Sequence, residues 1–161
     1  MTKKKDFHTN DAFVQVASQL IVYQIKTAWL QIQKMGDKIA SKYDASLSMA
    51  FVLMAIYEEA GTPVTKIAPR IGMEPNSLSR LLKSLEKKAY IFKEAAPDDK
   101  RVVLVKLTEL GLERRKVALR SVFSIEKEVM KDVADEDLKG FFKVMGTVTR
   151  MGWVPLFLNI Q

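Results

Sequence analysis

Between Tyr90 and Leu107 the apolar residues change their spacing from about every 3.6 positions to about every second one, and past Thr108 the longer period returns. "YIFKEA" and "RVVLVKL" are rich in the β-branched and aromatic residues that suit strands, and "APDDK" between them reads as the connecting loop. A single hairpin is therefore set into a helical chain. The fold class this implies is mainly α with one small β-hairpin.

The segments before the hairpin read as helices. From Asp11 to about Tyr43 the pattern is one long helix with two apolar stripes, one through Phe13, Val16, Leu20 and Ile25, the other through Val14, Ile21, Trp29, Ile32 and Ile39. A surface helix needs one such stripe, so this one must be covered on two sides. Gly36 either bends it or allows close packing. "SLSMAFVLMAIYEEA" (46–60) reads as a core helix with Ser46 or Ser48 as N-cap and Gly61 as its end. Thr62 and Pro63 look like the N-cap and first position of a short helix, which Pro69 should distort or shorten. Pro75 opens the next helix, whose apolar face is Leu78, Leu81, Leu82 and Leu85. After the hairpin, Thr108 reads as the N-cap of a long helix. A last helix starts near Asp135 and runs through Phe141, Phe142 and Trp153 into the apolar "WVPLFLNI".

Composition narrows the chemistry. The chain of 161 residues has no cysteine, which removes disulfides, thiolate-held zinc and thiol redox switching. No apolar run approaches the ~20 residues of a membrane span. "MTKKKDFHTND" lacks the apolar core of a secretory signal, so a cytoplasmic location is expected, with no membrane partner. The net charge is +7, and residues 64–107 hold ten Lys or Arg against five Asp or Glu, placing +5 of it there. A basic middle segment points to an anionic partner.

Catalytic signatures are missing from the sequence. His8 is the lone histidine and stands in a polar tail. Neither a phosphate loop, a GxGxxG turn, a GxSxG elbow nor an HExxH helix occurs. Asp98 and Asp99 are adjacent at a turn, where they cannot face each other across a cleft for acid–base work. The sequence gives no reason to expect an enzyme, a metal site or a cofactor.

Two short helices followed by a basic hairpin make a winged helix-turn-helix. The second helix, about 12 Å across, fits a major groove, and a cation on the hairpin tip suits the negative potential of a minor groove. From "MEPNSLSRLLKSLEKKAYI" through "PDDKRVVLVKLTELG" the chain resembles the MarR (multiple antibiotic resistance regulator) family of transcription factors. The Asp-x-Arg wing and the Leu-Thr-x-x-Gly helix start carry the resemblance.

The resemblance implies one MarR-like chain over 1–161, with a winged helix-turn-helix at 44–107 and helical dimerisation regions at 11–43 and 108–161. A homodimer would set two recognition helices on successive major grooves of a pseudopalindromic duplex, roughly 34 Å apart. Carried over by position, Asn76, Ser77, Ser79, Arg80 and Lys83 contact DNA from the recognition helix. Arg101 enters the minor groove, Asp99 orients it, and Lys100, with Lys106 as a further candidate, meets phosphate. The expected mechanism is a ligand-responsive repressor whose effector binds between the dimer helices and the winged domain and changes the spacing of the two recognition helices. Trp29, Met35, Met54 and Tyr57 are the pocket candidates, and the resemblance implies a small aromatic or lipophilic effector. A non-catalytic module binding an acidic protein partner is the alternative. Ala89, where the family commonly has glycine, and Pro69 depart from the family pattern.

Overall fold

The computed structural model describes residues 10–150. The chain divides into two compact units between Val122 and Phe123. The first unit begins with α1 (Asn10–Ala17), α2 (Ile21–Ala40) and α3 (Leu47–Ala55). Strand β1 (Thr62–Pro63), α4 (Val64–Arg70), α5 (Pro75–Lys87), β2 (Ile91–Ala95) and β3 (Val103–Leu107) follow. Helix α6 (Glu109–Val129) then runs to the second unit, which contains α7 (Asp135–Arg150). The expected end of the last helix at Trp153, "WVPLFLNI" and His8 lie outside the described residues.

The long first helix is two helices. Ser18 turns its hydroxyl back to the Gln15 carbonyl (2.9 Å), and Leu20 is extended before α2 starts. Neither Gly nor Pro marks this break. A serine that satisfies its own backbone is the only local signal. Gly36 permits close packing: a Cβ there would lie 2.8 Å from both methyls of Leu47, the first residue of α3. Asp37 accepts the Leu47 N–H (2.8 Å) beside it.

Helix α3 starts as expected, with Ser46 Oγ accepting the Met49 N–H, but it stops at Ala55 rather than at Gly61. Two tertiary contacts end it. The Tyr57 N–H donates to Thr62 Oγ1 (2.8 Å), and the Arg70 guanidinium donates to the Ala55 carbonyl (2.8 Å). Groups left open at a helix end are thus satisfied from elsewhere in the chain. Thr62 and Pro63 correct a second expectation. They form an edge strand rather than a helix start, pairing with β3 through Thr62↔Val105 and Pro63↔Leu104. The sheet is three-stranded and antiparallel in the order β1-β3-β2, and proline is tolerated at its edge.

Pro69 stands one residue before the end of α4, which is only seven residues long. The helix closes in a Schellman turn: the Met73 N–H reaches the Ala68 carbonyl (3.0 Å), and Gly72 takes φ +61°. Helix α5 opens on Pro75 and buries Leu78, Leu82 and Leu85, with Leu81 half-buried beside them. These side chains meet Val52, Leu53 and Ile56 of the α3 segment, Ile67 of α4, and Ile91, Val105 and Leu107 of the sheet in one core. The second unit presents Phe141 and Phe142 edge to face at 5.6 Å, both exposed.

Candidate nucleic-acid interface

The recognition helix and the hairpin share a junction. Helix α5 ends in a second Schellman turn, with the Tyr90 N–H donating to the Leu85 carbonyl and the Ala89 N–H to the Glu86 carbonyl, both at 3.0 Å. This turn needs a left-handed residue, and Ala89 supplies it at φ +54°. The turn the sequence placed in doubt therefore keeps its geometry, at the conformational cost of a Cβ. Thr108 closes the far end. Its Oγ1 donates to the Ala89 carbonyl (2.6 Å) and accepts the Gly111 N–H (3.0 Å), while its own N–H donates to the Tyr90 carbonyl (3.1 Å). The Leu-Thr-x-x-Gly start of α6 is thereby bonded to the end of α5.

Strands β2 and β3 pair from Ile91↔Leu107 to Ala95↔Val103, and the loop beyond is tied by the Ala96 N–H to the Val102 carbonyl (2.8 Å). At the tip, Asp99 Oδ1 accepts the Arg101 N–H (3.0 Å) and Nε–H (3.2 Å). The backbone bond first, and the guanidinium second, hold the Asp99 carboxyl below its ordinary value. The Arg101 side chain is 92% exposed while anchored at its base, so a directed cation stands clear of the sheet.

The expected contacts on α5 divide into free and engaged groups. Asn76, Ser77, Ser79, Arg80 and Lys83 are all exposed on the helix, whereas its leucines face inward. Ser79 spends its hydroxyl hydrogen on the Pro75 carbonyl (3.0 Å). Besides Arg101, three cations of the basic segment pair with carboxylates: Lys88 with Asp44, Lys93 with Glu86 and Lys106 with Glu94, the latter two at 2.8 Å. Lys106 is thus held across the strands rather than free for phosphate. Arg80, Lys83 and Lys100 pair with no carboxylate among the described residues. On α5 the unpaired positive charge consequently stands on the exposed side, at Arg80 and Lys83, whereas at the wing tip Lys100 and Arg101 are balanced in number by Asp98 and Asp99.

The four pocket candidates are not gathered together. Trp29 lines an open cleft of about 810 Å3 whose walls come from α2, from residues 46–51, and from the α4–α5 turn with the start of α5. Met35, Met54 and Tyr57 are not among its walls. Met35 and Tyr57 are exposed, Met54 is half-buried, and Tyr57 lies under the Arg70 guanidinium at 4.3 Å from its ring centre. Sequence reasoning missed Arg70 altogether. A basic residue ending a helix reads as a dipole partner, and only the chain fold brings it to α3.

Residues 46–103 match the MarR family model. That segment is a MarR-type winged helix-turn-helix. The chain is 29% identical over 116 residues to the HTH-type transcriptional regulator SarZ of Staphylococcus epidermidis, an alignment spanning 68% of this chain and 77% of SarZ. Among solved structures, CouR from Rhodococcus jostii RHA1 bound to p-coumaroyl-CoA superposes with a TM-score of 0.74 at 19% identity, covering 86% of this chain and 97% of CouR. The S. aureus MepR–DNA complex gives 0.74 at 16% identity, over 81% and 96%. These likenesses show the fold, a winged helix, and the family is one of DNA-binding transcriptional regulators. A module for acidic protein partners is the less favoured reading. No described helix is long and apolar enough to cross a membrane.

Proposed function

We propose that the chain is a homodimeric, ligand-responsive repressor that binds a pseudopalindromic operator through α5 and the wing. The observation that carries this reading is the pairing of a free polar helix face with an exposed, Asp99-anchored Arg101. In this reading Arg80, Ser77 and Asn76 meet base edges or phosphates in the major groove, with Ser79 and Lys83 beside them. Arg101 enters the minor groove, Asp99 fixes its direction, and Lys100 meets the backbone phosphate next to it.

Dimerisation is supported by surface that a monomer leaves wet. In the first unit Phe13, Val14, Leu20, Ile21 and Val22 are all more than half exposed, Val22 at 77%. In the second unit Phe123, Phe141 and Phe142 are equally open. Apolar area of this extent marks an interface. MepR is solved with DNA and CouR with p-coumaroyl-CoA, which supports DNA as the partner here and a small molecule as the effector.

The test is fluorescence anisotropy on duplex DNA from upstream of the chain's own gene against random duplex, with Arg80→Ala and Arg101→Ala, and sedimentation to give the oligomer. Expected are a dimer, a preference for one sequence, and weakening by each substitution. A monomer that binds all duplexes alike, indifferent to both changes, sinks the proposal.

A further inference from the structure

We infer that Glu74 determines sequence specificity: its carboxylate accepts a hydrogen bond from the N4 amino group of a cytosine in the major groove, and its charge holds off duplexes that lack one there. The inference rests on the reading of α5 as the DNA-facing helix.

Glu74 runs against the charge of its surroundings. It is the only acid between Glu59 and Glu86, a span that carries Lys66, Arg70, Arg80 and Lys83. Attraction to phosphate supplies much of the affinity of such a surface for DNA, and a carboxylate on it subtracts from that affinity. The fold gives Glu74 no compensating task. Its side chain caps none of the N–H groups of α5, and glutamate is outside the Ser, Thr, Asp and Asn set that suits a cap. It pairs with no cation among the described residues and is exposed.

Its position is that of a reader. Glu74 stands in extended conformation immediately before Pro75, which opens α5, and the N-terminal residues of a recognition helix are the ones that reach base edges. It borders the same open cleft as Ser77 and Arg80, so the three share one side of the start of α5. The Asn76 and Ser77 N–H groups, in the first turn, have no partner within the helix. A lone acceptor is thus set among donors.

The chemistry of the groove selects the base. A carboxylate only accepts hydrogen bonds, so phosphate oxygens, which also only accept, cannot be its partner. Guanine shows two acceptors in the major groove, thymine an acceptor and a methyl, and adenine an amino donor beside the N7 acceptor. Cytosine alone shows a donor without an acceptor. The guanine paired with it presents O6 and N7, the pair of acceptors that suits the Arg80 guanidinium on the same side of the helix.

The experiment selects the preferred duplex from a randomised pool with the wild-type full chain. Fluorescence anisotropy then compares wild type, Glu74→Ala and Glu74→Gln on that duplex, on its single-base variants and on random duplex. Wild type should prefer cytosine at one position of each half-site by about tenfold. Glu74→Ala should lose the preference at that position alone, and should bind random duplex about twofold or more tighter because a charge repelled by phosphate is gone. Glu74→Gln, whose amide both donates and accepts, should move the preference there toward adenine, which offers N7 and N6 together. Thermal unfolding of the three proteins separates the rival role, a charge that merely favours the start of α5, since that role changes stability and leaves every base preference in place. A selected site on which Glu74→Ala keeps all wild-type preferences overturns the inference and leaves the DNA reading standing. A wild-type chain that selects no sequence overturns both.

Discussion

Gly111 lies against the carbonyl of Tyr90 so closely that a Cβ on it would run into the carbonyl oxygen and stand 2.9 Å from the carbonyl carbon. The obstacle is backbone, which cannot rotate away. It is also the backbone that accepts the Thr108 N–H, so displacing it breaks the junction between wing and α6. Glycine is required here for the approach of two chain segments, not for its dihedral freedom. Gly111→Ala should therefore destabilise the protein by about 3 kcal/mol, the upper part of the range for overpacking. Thermal unfolding reads this directly, and a transition within a degree of wild type would show that the two segments do not touch.

Ala89 makes the opposite prediction. Its left-handed φ of +54° strains any residue with a Cβ, and its carbonyl, which accepts the Thr108 hydroxyl, is kept by any substitution. Ala89→Gly should raise stability by about 1 kcal/mol, which for a chain of this size is about 2–4 °C in Tm. A lower Tm would mean that the alanine methyl contributes packing that outweighs the strain.

Thr62 is fully buried, and its hydroxyl oxygen accepts the Tyr57 N–H. Thr62→Val preserves shape and strand propensity but leaves that donor unpaired. The expected loss is about 1–3 kcal/mol. Urea unfolding should show a lower midpoint with an unchanged slope, and an unchanged midpoint would mean that water takes over the bond.

Asp99 supplies a pH prediction. Its carboxyl is held below the ordinary value of 3.8 by the Arg101 N–H and guanidinium, so the folded pKa is depressed relative to the unfolded chain. The contribution is thus present above the unfolded pKa and fades as pH falls through the lower, folded one. Carboxyl carbon NMR should find the Asp99 midpoint under 3.8, and Arg101→Ala should move it upward. A midpoint already at the ordinary value would show that the carboxylate does not hold the arginine.

DNA binding should separate the two wing cations. Arg101→Ala, which removes a groove-directed guanidinium, is expected to cost about 1–3 kcal/mol and to relax preference among sequences. Lys100→Ala should weaken all duplexes alike and lower the salt slope by about 1. Anisotropy over a range of salt concentrations distinguishes them, and identical behaviour would put both side chains on phosphate.

Sequence alone determined the elements whose signals are local. The change of apolar period gave the hairpin, Pro75 the start of α5, Thr108 the cap of α6, and the Leu78, Leu82 and Leu85 spacing the buried face. The exposed set from Asn76 to Lys83 and the Asp99–Arg101 pair were legible for the same reason, since neighbours within a turn define them. What only the tertiary structure decided depends on residues far apart in the chain. The end of α3 at Ala55 is set by Thr62 and Arg70, the strand at Thr62–Pro63 by pairing with Val105 and Leu104, and the need for Gly111 by the Tyr90 carbonyl. The cleft belongs to this second group, because it joins Trp29 to Arg70 and Arg80 across three segments. Helix caps and apolar periods act over a few residues and are written in the sequence, whereas a hydrogen bond or close approach between distant segments exists only once the chain has folded.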